Sequence, residues 1–435
     1  MDRRNFLAGS LAGGLAALAG CAGAGDDAGR GTSTDAATGA ESTSGDGTGT
    51  TAAGATEAAV SGPVTRVAGV DLPVPQNLLS RGAGKDAIPA ITEPVFADDW
   101  SGLSVEVTSR FSGEVTTKEP RLRADDRVIG VERDGEARAY PLRVLNWHEI
   151  VNDDFGGPLL VTFCPLCGSG VTAVRRVGGE TATFGVSGLL WNSDLVMYDG
   201  VSGSLWSQIA GTAIRGSRTG HTLELVPSTI TTLGEWRESH PDTGVLLPPP
   251  ESNTVRGRDA VRDYTSNPYA TYDSADRIGI GRNSFDDDRL HPKTRVLGIS
   301  AGETSRAYPL EAVVNSGGVV SDTVGDTPVV VAVGSAEATL HAYERTVDGE
   351  TLSVSAGEPG RFTAGGSTWR VTDGRAVDGP YEGTTLAPAT DTGQLFWFAW
   401  AEFNPQTEVF GQASTGDGSG SGDGSSDTAT PTDGY

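Results

Sequence analysis

The chain has 435 residues, with 57 Asp and Glu against 32 Lys and Arg and a formal net charge of -25. That balance argues against nucleic-acid binding, which needs clustered Lys and Arg, and against electrostatic docking to anionic lipid. Lysine occurs only at Lys85, Lys118 and Lys293. Carboxylate excess with so little lysine is what a salt-loving archaeon would make, where high ionic strength screens self-repulsion.

The N-terminus reads as an export signal. Arg3-Arg4 followed by Phe6-Leu7 is the core of a twin-arginine signal, and residues 7–19 are small, apolar and uncharged. That run is short of the roughly 20 apolar residues a bilayer span requires, and it suits a signal core. Leu18-Ala19-Gly20-Cys21 closes it as a lipoprotein cleavage site. Residues 1–20 are thus expected to be removed and Cys21 to carry lipid. The expected location is the extracytoplasmic face of the membrane. No later segment is long and apolar enough to span, so the predicted membrane partnership rests on that lipid.

Residues 21–62 are rich in Gly, Ala, Ser, Thr and Asp and cannot bury enough surface to fold; they read as a disordered tether, and 412–435 as a disordered tail. Between them lies an internal duplication. Arg127-Val128-Ile129-Gly130-Val131 returns as Arg295-Val296-Leu297-Gly298-Ile299, and Arg138-Ala139-Tyr140-Pro141-Leu142 as Arg306-Ala307-Tyr308-Pro309-Leu310, both at an offset of 168. Two tandem homologous modules follow, 63–250 and 251–411.

Each is predicted as α+β and β-rich, with mainly antiparallel strands and short helices. A hairpin spans 128–140 around Asp134-Gly135. Pro141 suits a helix's first position, and apolar spacing through Leu145, His148 and Val151 extends that helix. Residues 159–163 form a buried strand. Residues 171–177 and 181–186 form a hairpin around Gly178-Gly179, and 232–239 a second helix.

Chemistry concentrates in Phe163-Cys164-Pro165-Leu166-Cys167-Gly168. Two residues between thiols place both sulfurs on one side of a tight turn, a geometry that serves a metal, a reversible disulfide or a static one. With no second pair, a four-cysteine zinc site within one chain is excluded. His148 lies on the helix before the Cys strand and is expected to join the thiols in a site for zinc or copper. At the repeat offset His148 falls on Ser316, and residues 331–335 carry no thiol. The joint absence of all three from the second copy points to one shared role rather than a scaffold role. Glu149 and Asp153 stand as supporting carboxylates, and Trp191, Asn192, Asp194, Trp206 and Gln208 as a polar-aromatic pocket. No phosphate loop, dinucleotide fingerprint, EF-hand or nucleophile elbow is present.

Several motifs together carry a family likeness: Gly84-Lys85-Asp86-Ala87-Ile88-Pro89, Asn146-Trp147-His148-Glu149-Ile150-Val151-Asn152-Asp153, the Cys turn, Trp191-Asn192-Ser193-Asp194, Leu205-Trp206-Ser207-Gln208 and Phe396-Trp397-Phe398-Ala399-Trp400. Over 82–411 the chain resembles the bacterial and archaeal domain-of-unknown-function family 3179. Phe163 stands where that family commonly has Tyr, and Asn404 where it often has His. The resemblance implies an exported, often lipid-anchored protein and brings no established activity. Three functions therefore remain open on the residues: a binding or redox-accessory protein with a soft-metal site, a thiol-disulfide oxidoreductase, and a surface module with a structural disulfide.

Overall fold

The computed structural model describes residues 63–109, 112–280, 285–335 and 338–412. The signal, Cys21, the tether and the tail beyond Gln412 lie outside the described residues. Among the described residues no helix is long and apolar enough to cross a membrane.

The chain is strand-rich, its sheets mainly antiparallel and its helices few and short. The first part contributes β1 (Leu79–Arg81), β2 (Ile91–Glu93), β3 (Val95–Ala97), β4 (Arg127–Arg133), β5 (Glu136–Pro141), α1 (Leu142–His148), β6 (Ile150–Asp154), β7 (Pro158–Cys164) and β8 (Ser169–Val174). It continues with β9 (Phe184–Trp191), β10 (Asp194–Asp199), β11 (Leu205–Ser207), β12 (Thr212–Arg215), β13 (Thr229–Thr232), α2 (Leu233–Ser239), β14 (Gly244–Leu247) and β15 (Asn253–Thr254). These build three sheets, ordered β8-β7-β6-β2-β15, β12-β11-β10-β9-β1 and β13-β4-β5-β14-β3.

The second part contains β16 (Arg295–Ala301), β17 (Thr304–Pro309), α3 (Leu310–Asn315), β18 (Val319–Val324), β19 (Thr327–Val333), β20 (Leu340–Glu344), β21 (Leu395–Phe396), α4 (Trp397–Phe403) and β22 (Glu408–Val409). Its sheets include β21-β16-β17-β22 and β18-β19-β20. The order β21-β16-β17-β22 matches β13-β4-β5-β14 strand for strand, including one parallel pair in each, β5 with β14 and β17 with β22.

Local causes recur in both parts. Asp134 and Gly135, both at positive φ, turn the β4–β5 hairpin as expected. Gly130 accommodates the Trp236 ring, since a Cβ there would sit 2.4 Å from it; Gly298 does the same for Trp400, at 2.2 Å. Trp236 Nε1 donates to Thr243 and Trp400 Nε1 to Thr407. Thr232 caps α2 by accepting from the Glu235 N–H. Arg138 and Tyr140 both donate to Asp153, as Arg306 and Tyr308 do to Asp322.

Two expectations shift. The helix after Pro141 ends at His148 and Val151 belongs to β6. Glu149 takes φ 57 and breaks the helical path after two turns. The hairpin at Gly178-Gly179 is only two residues deep on each side, and β9 leaves for another sheet. Around the expected boundary at 250, β15 pairs back onto β2, and one buried core gathers Cys164, Cys167 and Trp206 with Val296, Phe396 and Trp400. Two contacts couple the parts reciprocally. The Phe396 N–H donates to the Cys167 carbonyl at 2.9 Å, and Glu235 accepts from the Ser335 N–H at 2.7 Å.

Candidate metal centre

β7 carries Cys164 at its end, and β8 begins at Ser169, paired with Cys164 across the turn. The Cys167 N–H donates to the Cys164 carbonyl, which folds both thiols to one side. Gly168 closes the turn at φ 64, with the Phe396 ring against its Cα, a position that only glycine fits without strain. Both cysteines are free and buried.

A second turn faces the first. Trp191 pairs with Asp194 across the β9–β10 hairpin, and Asn192 and Ser193 between them both have positive φ. This tight turn aims the Ser193 carbonyl at the thiols, 3.3 Å from Cys167 Sγ and 3.6 Å from Cys164 Sγ. It also brings in Asp194. One carboxylate oxygen of Asp194 and the two sulfurs all lie within 4.8 Å of one another. Ser207 Oγ donates to Asp194 at 2.6 Å and fixes its orientation. All three residues are at most 2 % exposed.

Acidic groups crowd this centre. Burial pushes Asp194 up to about 7 against the opposing bond from Ser207. Burial, then the neighbouring Asp194 charge, holds Glu149 up at about 8, although a bond from Tyr269 lowers it. Burial alone raises Glu402, on α4, to about 7, and its Oε2 is shut off from solvent without a partner. Burial, the Cys164 thiol, Asp194 and Glu402 all drive the Cys167 thiol well above its ordinary value. Among the described residues no Lys, Arg or His forms an ion pair with Asp194, Glu149 or Glu402. Uncompensated buried acids are costly, and a bound cation is one remedy.

His148 is not part of this cluster, which corrects the expected Cys-Cys-His set. Its Nδ1 faces the Pro89 carbonyl at 2.7 Å and its Nε2 the Tyr264 hydroxyl at 2.8 Å. Both ring nitrogens are therefore engaged, and burial lowers its pKa to about 4, keeping it neutral. Asp153 is likewise no supporting carboxylate of the centre, because Arg138 and Tyr140 hold it.

The polar-aromatic stretch divides. Trp206 fills core, with Nε1 donating to Asp199. Trp191 packs edge-on against Phe403. Gln208 stays behind the centre, bonded to Ser169 and Thr162, and Asn192 serves the turn. Glu149 does reach the neighbourhood, where the Tyr269 hydroxyl approaches its Oε1 at 3.5 Å.

Sequence reasoning missed Glu402, Tyr269 and Tyr272. Glu402 is the single charged residue in α4, a signal that was available. Tyr272 donates to the Leu166 carbonyl inside the Cys turn, a long-range contact that nothing local announces.

A buried thiol-carboxylate cluster set among facing β-turns thus defines the class of site. The chain belongs to the family described as "Protein of unknown function (DUF3179)", whose model matches residues 85–407. No curated protein and no solved structure matches it.

Proposed function

We propose that the chain is an extracytoplasmic metal-binding lipoprotein, held at the membrane by lipid on Cys21, with a zinc centre at Cys164, Cys167 and Asp194. The observation that carries this reading is the convergence of two thiols and one carboxylate within 4.8 Å in a buried, acidic setting. Zinc bonds at about 2.3 Å to sulfur and about 2.0 Å to oxygen give ligand separations of about 3.5–3.8 Å, so a small contraction closes the set. Copper(I) prefers all-sulfur surroundings, so the carboxylate favours zinc.

Glu149 adds support. The Phe163 N–H donates to the Glu149 carbonyl as the Val333 N–H does to that of Gly318, which makes the two positions equivalent. Gly318 has φ 80 and Glu149 φ 57. Holding a non-glycine residue at positive φ costs on the order of 1 kcal/mol or more. A carboxyl kept there at that cost fits a fourth ligand, or a hydrogen-bond partner of a group bound to the metal. We read the matching sheets, with the sequence repeat, as tandem copies of which only the first holds the centre.

The oxidoreductase reading has less support. An attacking thiol needs a depressed pKa and access, whereas Cys167 is fully buried and shifted upward. Metal analysis of full chain purified without an affinity tag tests the proposal. One zinc per chain is expected, lost in Cys164→Ser and Cys167→Ser; equal metal in all three preparations would overturn it.

A further inference from the structure

Arg127 and Arg295 open β4 and β16, the equivalent strands of the two hairpins. Their side chains meet at one cavity of about 270 Å³, whose wall includes Phe163 and Gly168 of the Cys turn together with Asn146 and Tyr269. Nε and Nη2 of Arg127 and Nη1 of Arg295 are shut off from solvent and have no hydrogen-bond partner. Among the described residues Arg138 pairs with Asp153, Arg143 with Asp126, Arg306 with Asp322 and Arg370 with Asp373, and Arg345, whose Nε is likewise without a partner, still donates through Nη1 to the Leu352 carbonyl.

The two unpaired guanidiniums also repel each other. Burial first, then the Arg295 charge, brings Arg127 down to about 9, opposed by Asp273. Asp125 and Asp273 line the same cavity but are exposed, and neither bonds either arginine. Asp126, the third carboxylate there, is taken by Arg143 and by the Arg123 N–H. Two adjacent guanidinium forks with free N–H groups cost stability as they stand. They match the geometry of a bidentate oxyanion, which would neutralise both.

We propose that Arg127 and Arg295 bind the oxyanion group of a small ligand, a carboxylate, phosphate or sulfate, in this cavity. The site needs both tandem copies, since each supplies one arginine from the same repeat position. It is independent of the metal proposal, though it lies against the other side of the turn that carries the thiols.

The test is calorimetric titration of the full chain with phosphate, sulfate and acetate in potassium chloride of fixed ionic strength. Saturable binding of at least one of the three is expected, and the arm that binds identifies the oxyanion. Arg127→Gln and Arg295→Gln should each weaken it at least about tenfold while retaining wild-type metal content. Neither variant should melt below wild type without anion, because each removes an unpaired buried charge. Absence of binding by all three anions, or unchanged binding in both variants, would overturn the proposal.

Discussion

The carboxylate of Asp194 stands within 4.8 Å of the Cys167 thiol, the one at the start of β10 and the other in the β7–β8 turn, and neither residue is exposed. Without a cation, that proximity is destabilising, since burial raises both groups and the Asp194 charge drives the Cys167 thiol further toward its protonated form. Asp194→Asn removes the charge and keeps an acceptor for Ser207. Zinc affinity, measured by chelator competition, should fall at least about tenfold, while the metal-free form melts no lower than wild type. Unchanged affinity would remove Asp194 from the ligand set.

His148→Gln separates the observed cluster from the one the sequence suggested. The substitution disturbs bonds to Pro89 and Tyr264 and should cost about 1–3 kcal/mol of stability in denaturant melts. Metal content should stay at the wild-type level. A variant that folds but loses its zinc would restore the imidazole as a ligand.

Glu149→Gly places at Glu149 what Gly318 supplies at the matching position after α3, where both carbonyls accept the same kind of strand N–H at positive φ. Relief of the positive φ and removal of a buried carboxyl should raise the stability of metal-free protein by about 1 kcal/mol or more. Metal affinity should drop in the same variant. A destabilised Glu149→Gly protein would show that the side chain serves the fold.

Stability should depend on pH with a sign set by the centre. Glu149 and Asp194 keep their protons to about 8 and about 7 in the folded chain, against about 4.3 and 3.9 unfolded. Their contribution is fully present below the unfolded values and is lost as pH rises through 7 to 8. His148 works oppositely: at about 4 folded and about 6.5 unfolded, its contribution is lost as pH falls below 6.5 toward 4. Chelator-treated protein should therefore melt at falling temperature from pH 6.5 to 8. Zinc should reverse that slope, because binding releases thiol and carboxyl protons. A rise with pH in the metal-free form would contradict these assignments.

Much of the scaffold was legible because its causes are local or repeated. Asp134-Gly135 marks a hairpin by turn chemistry alone, and the Arg-Val-x-Gly pattern recurs because Gly130 and Gly298 each admit a tryptophan. Cys164 and Cys167 announced themselves by spacing. Asp194 did not stand out as a ligand, because two turns from different sheets bring it to the thiols. His148 misled because helical spacing gives a face but not what packs on it; Glu149 ends α1 at once, and the imidazole meets Tyr264 instead. The repeat could have sorted the carboxylates: Asp153 has a counterpart in Asp322 with the same Arg and Tyr partners, the mark of a scaffold role, whereas Glu149 faces a glycine.

X-ray absorption at the zinc edge of untagged full chain reads the ligand set itself. Two sulfur scatterers at about 2.3 Å with oxygen ligands near 2.0 Å are expected, and no outer-shell imidazole pattern. An imidazole signature, or fewer than two sulfurs, would contradict a centre built from Cys164, Cys167 and Asp194.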